Sequence, residues 1–204
     1  MHKKLIMTCA VIAGFAAFII APVASASPVL TSEGSAVPLG TEIKGNNTGV
    51  FAFNEGSYTI SCGTVDMTAV VTGNTGSQIK LETAVGALTS SGTATAGDCT
   101  ASWGPATLTW GKLCFSTVSG TDNVSVTGCG ANIVMTTNIT GVVVCKYSAA
   151  SVTASFLTNA DATFSLSAIP LSKTEGSGLF CPSQITFSLD LDLTTASGGT
   201  LSIS

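Results

Sequence analysis

The sequence predicts an all-β protein, and within that class an antiparallel β-sandwich of the immunoglobulin-like or a related type. Three observations lead to this prediction. Apolar and polar residues alternate with a period of two along most of the chain, clusters of turn-forming residues interrupt the alternation at short intervals, and no sustained helical periodicity follows the first 26 residues. Strands with one buried face produce this alternation, and many short strands separated by turns are typical of sandwiches.

The first 26 residues are predicted to be a signal peptide that is cleaved from the mature protein. Met1–Lys4 is positively charged, Leu5–Ile20 is apolar, and Ala24 and Ala26 have the spacing that signal peptidase recognises. The apolar run is short for a membrane span, so membrane contact is expected only through this peptide before cleavage. The remaining 178 of the 204 residues, 27–204, are expected to form a single secreted domain. The alternative is two small β units joined near residues 101–112.

Ile185–Leu193 is the clearest predicted strand. Its odd-numbered residues are apolar and its even-numbered residues are Thr, Ser or Asp, so one face should be buried and the other solvated. The same alternation predicts strands at Val50–Phe53, Tyr58–Cys62, Val65–Val71, Ile79–Val85, Val124–Val126, Ile133–Ile139, Val142–Tyr147, Val152–Leu157 and Phe164–Ala168. Turn-forming residues predict turns at GNNTG (45–49), TGNTGS (72–77), SSGTATAGD (90–98) and KTEGSGLFCPSQ (173–184).

The cysteine content predicts three disulfides. An even number of cysteines in an exported chain indicates disulfides, and the six that follow the signal peptide are Cys62, Cys99, Cys114, Cys129, Cys145 and Cys181. A zinc site is not expected, because there is no C-x-x-C pair and the only histidine, His2, lies in the signal peptide. No metal or other cofactor is predicted.

An internal similarity favours one of the fifteen pairings that six cysteines allow. The stretches from Cys62 to Cys99 and from Cys145 to Cys181 have nearly equal length. Each begins at the end of a strand, continues through two further alternating strands, and reaches its second cysteine after a glycine-containing turn. If this is a true repeat, the pairs are 62–99 and 145–181, which leaves 114–129 to close a hairpin. The alternative is that any β chain rich in Thr and Ser resembles itself in this way.

Net charge argues against nucleic acid as a partner. After removal of the signal peptide, five lysines and no arginine stand against eleven acidic residues, which gives a net charge of −6. Such a surface repels phosphate backbones and anionic lipid.

Catalytic side chains are scarce. Without histidine, no Ser-His-Asp or Cys-His site can form. A Ser-Lys dyad is the formal alternative, and Lys80 alone has S-x-x-K spacing, in SQIK (77–80), but each of the five lysines is expected to be solvated. Asp190 and Asp192 are two apart on one predicted strand, so their carboxylates share a face. They could bind a cation or a sugar, or they could be the catalytic groups of a carboxylate-dependent hydrolase. The alternative is a solvated strand face whose charges prevent edge-to-edge aggregation.

Trp103 and Trp110 are the candidate platforms for stacking a sugar, within CTASWGPATLTWGKLC (99–114). Gly104-Pro105 is expected to interrupt a strand there, which places Trp103 in a loop and Trp110 in the core. Trp103 is therefore the tentative ligand-binding residue of a glycan-binding module, together with Asp190 and Asp192.

Five segments resemble those of a family of secreted actinobacterial β-rich, disulfide-bonded proteins of no assigned activity. They are VPLGTEIKGNNTG (37–49), YTISC (58–62), VVVCKYS (142–148), KTEGSGLFCPS (173–183) and TTASGGTLSIS (194–204). They span nearly the whole mature chain, and Cys114 and Cys129 depart from the family pattern. The resemblance implies a secreted β-sandwich-like protein and supplies no catalytic residues.

Together these features predict a non-enzymatic structural or binding protein that is secreted or associated with the cell envelope. Its candidate partners are cell-wall glycan and an extracellular protein. The alternatives are a glycan- or cell-wall-binding module that uses Trp103 and, less favoured, a hydrolase centred on Asp190 and Asp192.

Overall fold

The computed structural model describes residues 28–49, 51–55, 58–75, 78–89, 99–118, 121, 123–141, 143–156, 162–177 and 180–203. The predicted signal peptide, residues 1–26, and the predicted turn at 90–98 lie outside the described residues. Among the described residues, no helix has the length and apolarity needed to span a bilayer.

Seventeen strands occur in the described part of the chain, and all of their pairings there are antiparallel. They are β1 (Leu30–Ser32), β2 (Ser35–Ala36), β3 (Glu42–Asn47), β4 (Phe51–Glu55), β5 (Tyr58–Cys62), β6 (Asp66–Thr75), β7 (Gln78–Thr89), β8 (Cys99–Ala101), β9 (Gly104–Trp110), β10 (Cys114–Thr117), β11 (Asn123–Thr127), β12 (Ile133–Ile139), β13 (Val143–Ala149), β14 (Ser151–Phe156), β15 (Thr163–Glu175), β16 (Gln184–Thr195) and β17 (Leu201–Ile203).

Hydrogen bonding joins most of these strands into two closed rings of eight that share the β15–β16 pair. The first ring runs through β15, β14, β11, β10, β7, β6, β3 and β16. The second ring runs through β15, β13, β12, β9, β8, β5, β4 and β16. Each ring draws strands from both halves of the sequence.

The length of β15 and β16 allows them to belong to both rings. β15 pairs with β14 near Phe164 and with β13 near Lys173, while its other edge pairs with β16 almost throughout. The register between β15 and β16 shifts after Leu166, where Ala168 adopts a positive φ of 50°. This is a β-bulge, and the Ala168 N–H donates to the Ser188 Oγ at 3.0 Å.

A single apolar core fills both rings. On β16 the residues from Ile185 to Leu193 alternate strictly between buried and exposed, as predicted. Phe187 lies where the rings meet, with its ring 5.9 Å from that of Phe51 and 5.2 Å from that of Trp110. Trp110 is 5% exposed, which confirms its predicted place in the core.

A small sheet of β2, β1 and β17 extends the core of the first ring with Leu30 and Leu201, both buried. Asn74, at the end of β6, fixes this sheet in place. Its Oδ1 accepts from the Leu30 N–H at 2.8 Å, and its Nδ2 donates to the carbonyls of Leu30 and Val37.

The predicted all-β class is confirmed. The two separate sheets of an immunoglobulin-like sandwich are not confirmed, because the described strands pair with one another around closed rings. The alternative of two small β units joined near residues 101–112 does not describe the strand pairing, since β16 pairs with β3 and β4, and β10 pairs with β7, across that junction. The turns predicted at 45–49, 72–77 and 173–184 begin too early, because Glu42–Asn47, Asp66–Thr75 and Thr163–Glu175 are strands. β15 continues through Pro170, which lies in a stretch, residues 167–171, where the edge away from β16 pairs with neither β13 nor β14.

Candidate functional site

The three disulfides join Cys62 to Cys99, Cys114 to Cys129 and Cys145 to Cys181, so the favoured pairing is confirmed. The two similar stretches use their disulfides differently, however. Cys62 and Cys99 are directly opposite on the paired strands β5 and β8. Cys145, in contrast, connects β13 to the loop between β15 and β16, and this loop lies at one end of the second ring.

The Cys181 loop (176–183), of which the structure describes residues 176, 177 and 180–183, is held by three hydrogen bonds besides the disulfide. The Cys181 N–H donates to the Ser177 carbonyl at 2.7 Å, and the Lys173 Nζ donates to the Cys181 carbonyl at 3.0 Å. The Lys173 N–H donates to the Ser183 carbonyl at 2.9 Å. Phe180 precedes the buried Cys181 and is itself 42% exposed. The described part of the loop is therefore fixed to β15, and it presents an aromatic side chain at the surface.

Trp103 lies opposite this loop and completes an exposed aromatic pair with Phe180. It occupies the turn between β8 and β9, as predicted, and is 54% exposed. Its ring lies 6.0 Å from that of Phe180 at an interplanar angle of 83°, an edge-to-face contact. Gly104 and Pro105 were expected to interrupt a strand. They are instead the first two residues of β9, where the missing N–H of proline is tolerated.

A cleft lies on the outer face of β9 and β12, near the end of β9 that follows the turn with Trp103. Its lining residues are Pro105, Ala106, Thr107, Asn138, Thr140 and Gly141. Pro105, two residues after Trp103, lines this cleft, and its carbonyl accepts a hydrogen bond from the Thr140 N–H at 2.9 Å. A Cβ added at Gly104 would lie only 3.0 Å from the Thr140 Cγ2.

Asn138 is the polar centre of the cleft. It is directly opposite Thr107 on β9 and Val144 on β13, so the three side chains form one row across the outer face. The Asn138 Oδ1 is buried and accepts no hydrogen bond within the described part of the protein. Val144 is 45% exposed, and its carbonyl lies 3.6 Å from the Cys181 Sγ. The row therefore leads from the cleft to the Cys181 loop.

The structure does not bring Asp190 and Asp192 together with Trp103. Both lie on the exposed face of β16, at the part that pairs with β3 and β15 in the first ring. The Thr163 Oγ1 donates to the Asp192 Oδ1 at 3.1 Å, and the Ser165 hydroxyl makes a short hydrogen bond to Asp190. These contacts tie β15 to β16, which favours the structural interpretation of the acidic pair.

One group of possible metal ligands occurs among the described residues, comprising Glu82, Cys114 and Cys129. Both sulfur atoms belong to the 114–129 disulfide, and Glu82 forms an ion pair with Lys112. A disulfide offers no thiolate to a metal, so this group does not constitute a metal centre in the oxidised protein.

Phe180 and Asn138 were missed by the sequence reasoning. Phe180 carries a weak signal, because a large aromatic residue in a run of polar and turn-forming residues is a candidate for exposure. Asn138 carries none, since one amide in a strand of alternating residues has no distinctive spacing. No protein-family model, curated protein or solved structure matches the chain.

Proposed function

We propose that this is a secreted, non-enzymatic binding protein whose ligand is a glycan of the cell envelope. The observation that carries this proposal is the exposed aromatic pair, Trp103 and Phe180, supported on a disulfide-bonded loop beside a polar cleft. Aromatic rings offer a flat apolar face to the C–H groups of a sugar, while a few well-placed polar groups fix its orientation.

Export is supported by the chemistry of the cysteines. All six that follow the predicted signal peptide are paired, which fits an oxidising environment such as the extracellular space. We therefore propose that the protein is secreted and is then either retained at the envelope or released. We also propose that it belongs to the family of secreted actinobacterial proteins that the five sequence segments resemble.

A binding role is favoured over catalysis because the described residues that line the cleft offer amide and hydroxyl groups and no acid–base pair. The residues lining the cleft are Pro, Ala, Thr, Asn and Gly. The acidic pair at Asp190 and Asp192 is engaged by hydroxyl groups of β15, so a carboxylate-dependent hydrolase is the less supported candidate.

Co-sedimentation of the purified, oxidised protein with washed cell envelopes tests the proposal. Wild-type protein is expected to bind saturably. Trp103→Ala and Phe180→Ala should each weaken binding about tenfold or more, which corresponds to a loss of at least about 1.4 kcal/mol of binding free energy. Leu39→Ala is the matched control, because Leu39 is an exposed apolar residue on a different loop.

Unchanged melting temperatures would show that these variants remain folded. If Trp103→Ala and Phe180→Ala both bind as Leu39→Ala does, the aromatic pair is not the binding site and the proposal is wrong.

A further inference from the structure

We infer that the reduced form of the protein binds a thiophilic divalent metal ion, such as zinc, between Cys114, Cys129 and Glu82. The inference goes beyond glycan binding and does not depend on it. The three residues belong to the first ring of strands and the turn that follows β11, whereas Trp103 lies on the second ring, between β8 and β9. Three features support the site: the positions of the ligand atoms, the accessibility of the sulfurs and the balance of charge.

The strand pairing brings the three ligand atoms together. Cys114 on β10 is directly opposite Glu82 on β7, so their Cβ atoms lie within about 4.5–5.5 Å of each other. The two Sγ atoms and a carboxylate oxygen of Glu82 all lie within 4.8 Å of one another. Zinc binds sulfur at about 2.3 Å and carboxylate oxygen at about 2.0–2.2 Å, which places its tetrahedral ligands roughly 3.5–3.8 Å apart. Side-chain rotations alone can therefore bring the three atoms around one ion.

The sulfur ligands become available when the 114–129 disulfide is reduced. A dithiol reductant gives two electrons to this bond: the S–S bond breaks, the two protein sulfurs take the two protons of the dithiol, and the dithiol closes to a disulfide. Cys114 and Cys129 are half-buried, whereas the other four cysteines of the described chain are almost fully buried. The divalent ion then displaces the two thiol protons and forms two metal–thiolate bonds. Disulfide and metal are thus alternative states of the same two sulfur atoms.

The backbone around the site is held by hydrogen bonds that reduction does not break. β10 pairs with β7 at three positions and with β11 at four. Cys129 lies in the turn after β11, which is closed by two hydrogen bonds between Gly128 and Ala131, at 3.1 and 3.3 Å. Cys114 and Glu82 therefore stay opposite each other, while Cys129, outside the strand pairing, can adjust to the ion.

Charge and ligand type favour the same class of metal. Two thiolates and one carboxylate carry one negative charge more than a divalent ion neutralises, and Lys112, which forms an ion pair with Glu82, supplies the compensating positive charge. This ion pair is partly exposed, so its rearrangement costs little. Thiolates select zinc over calcium or magnesium. Three protein ligands leave the fourth tetrahedral position to water or an external ligand.

The experiment adds cobalt(II) or zinc to the purified protein under anaerobic conditions, before and after limited reduction. A dithiol opens the disulfide and is removed by gel filtration, and peptide mapping of alkylated samples verifies that only 114–129 has opened. Reduced protein is expected to bind one ion per chain, with the near-ultraviolet absorption of thiolate–cobalt bonds, and oxidised protein to bind none. Bound zinc should also slow the alkylation of Cys114 and Cys129, because a coordinated thiolate is less available for attack.

Cys114→Ser combined with Cys129→Ser should abolish binding. Glu82→Gln should weaken it about tenfold or more, since even residues that only support metal ligands contribute about that much. Glu42→Gln is the matched control, because Glu42 is an exposed acid on β3 outside the group and should bind as wild type.

Three results would overturn the inference. They are cobalt binding by the reduced protein no greater than that of the double serine variant, equal affinity in Glu82→Gln and Glu42→Gln, and loss of the native circular dichroism when the disulfide opens before metal is added. None of these results bears on envelope binding, which Trp103→Ala tests in the oxidised protein.

Discussion

Cys145 and Cys181 are bonded across 36 positions of sequence, and this bond holds Phe180 against Trp103. Cys145 lies within β13, whereas Cys181 lies in a loop whose backbone is also fixed by Ser177 and Lys173. The disulfide does not line the cleft, yet it determines where one half of the aromatic pair lies. Binding should therefore depend on residues that do not touch the ligand.

Removing this disulfide with Cys145→Ala and Cys181→Ala together should reduce both stability and affinity. Closing a loop of this length stabilises a protein by about 4 kcal/mol in the chain-entropy model, and Phe180 loses its support. Urea unfolding and envelope co-sedimentation would measure the two effects. The paired variant Cys114→Ala and Cys129→Ala is the control, with a loss of about 3 kcal/mol and unchanged affinity. Equal affinity in both double variants would contradict the supporting role of the loop.

Gly176→Ala should disturb the same loop without removing a sulfur atom. Gly176 has a φ of 118°, and a Cβ there would contact the Cys181 Sγ and lie 2.9 Å from the Val144 carbonyl oxygen. Gly198 also has a positive φ, of 86°, but its Cβ would meet nothing within 4 Å. Thermal unfolding should show Gly176→Ala to be clearly less stable than Gly198→Ala, because only the first adds a collision to the backbone strain. Similar melting temperatures would mean that the loop adjusts freely.

Mild reduction of the folded protein should open the 114–129 disulfide first. Cys62, Cys99, Cys145 and Cys181 are almost fully buried, whereas Cys114 and Cys129 are each half-buried and lie on the outer face. A reductant needs access to a sulfur atom, so exposure should set the order. Alkylation followed by peptide mapping would identify the first pair of labelled cysteines. Early labelling of Cys62 or Cys145 would show that the core opens more readily than its burial indicates.

Phe187→Ala should cost about 3–5 kcal/mol in unfolding free energy, as large-to-small changes of buried aromatic residues do. Phe187 contacts Phe51 and Trp110 where the two rings of strands meet, so neighbouring side chains cannot easily fill the space. Thr109, an exposed residue of β9 that adjoins Trp110, provides the control, with an expected change within about 0.5 kcal/mol on substitution by Ala. Denaturant unfolding monitored by tryptophan fluorescence would measure both. A cost for Phe187→Ala as small as that of the control would contradict the central role assigned to it.

The sequence predicted local features well where one face of a strand is buried and the other is solvated. The alternation at Ile185–Leu193 therefore identified the buried face of β16 correctly. It failed on β15, where the strand predicted at Phe164–Ala168 continues to Glu175, because the bulge after Leu166 interrupts the period of two. The closed rings were not predictable, since they depend on which strands pair across more than a hundred residues, and alternation contains no information about partners.

The candidate site, like the fold, was predictable from the sequence only in part. Trp103 was recognisable because a large aromatic residue preceded Gly-Pro in a turn. Its contact with Phe180 depends on the placement of β8, β9, β13 and the Cys181 loop in one ring, which only the fold reveals. The cysteine pairing was accessible because near-equal spacing suggested it, although the two disulfides proved to join different kinds of elements.

The shared β15–β16 pair also determines the order in which the protein can fold. Neither ring can close before residues 163–195 have been synthesised. Lys44 on β3, for example, pairs with Thr194 on β16, which is roughly 150 residues later in the sequence. Such long sequence separations make folding slow. A chain still emerging from the ribosome can therefore close neither ring until its last fifth, from Thr163 onward, has been synthesised.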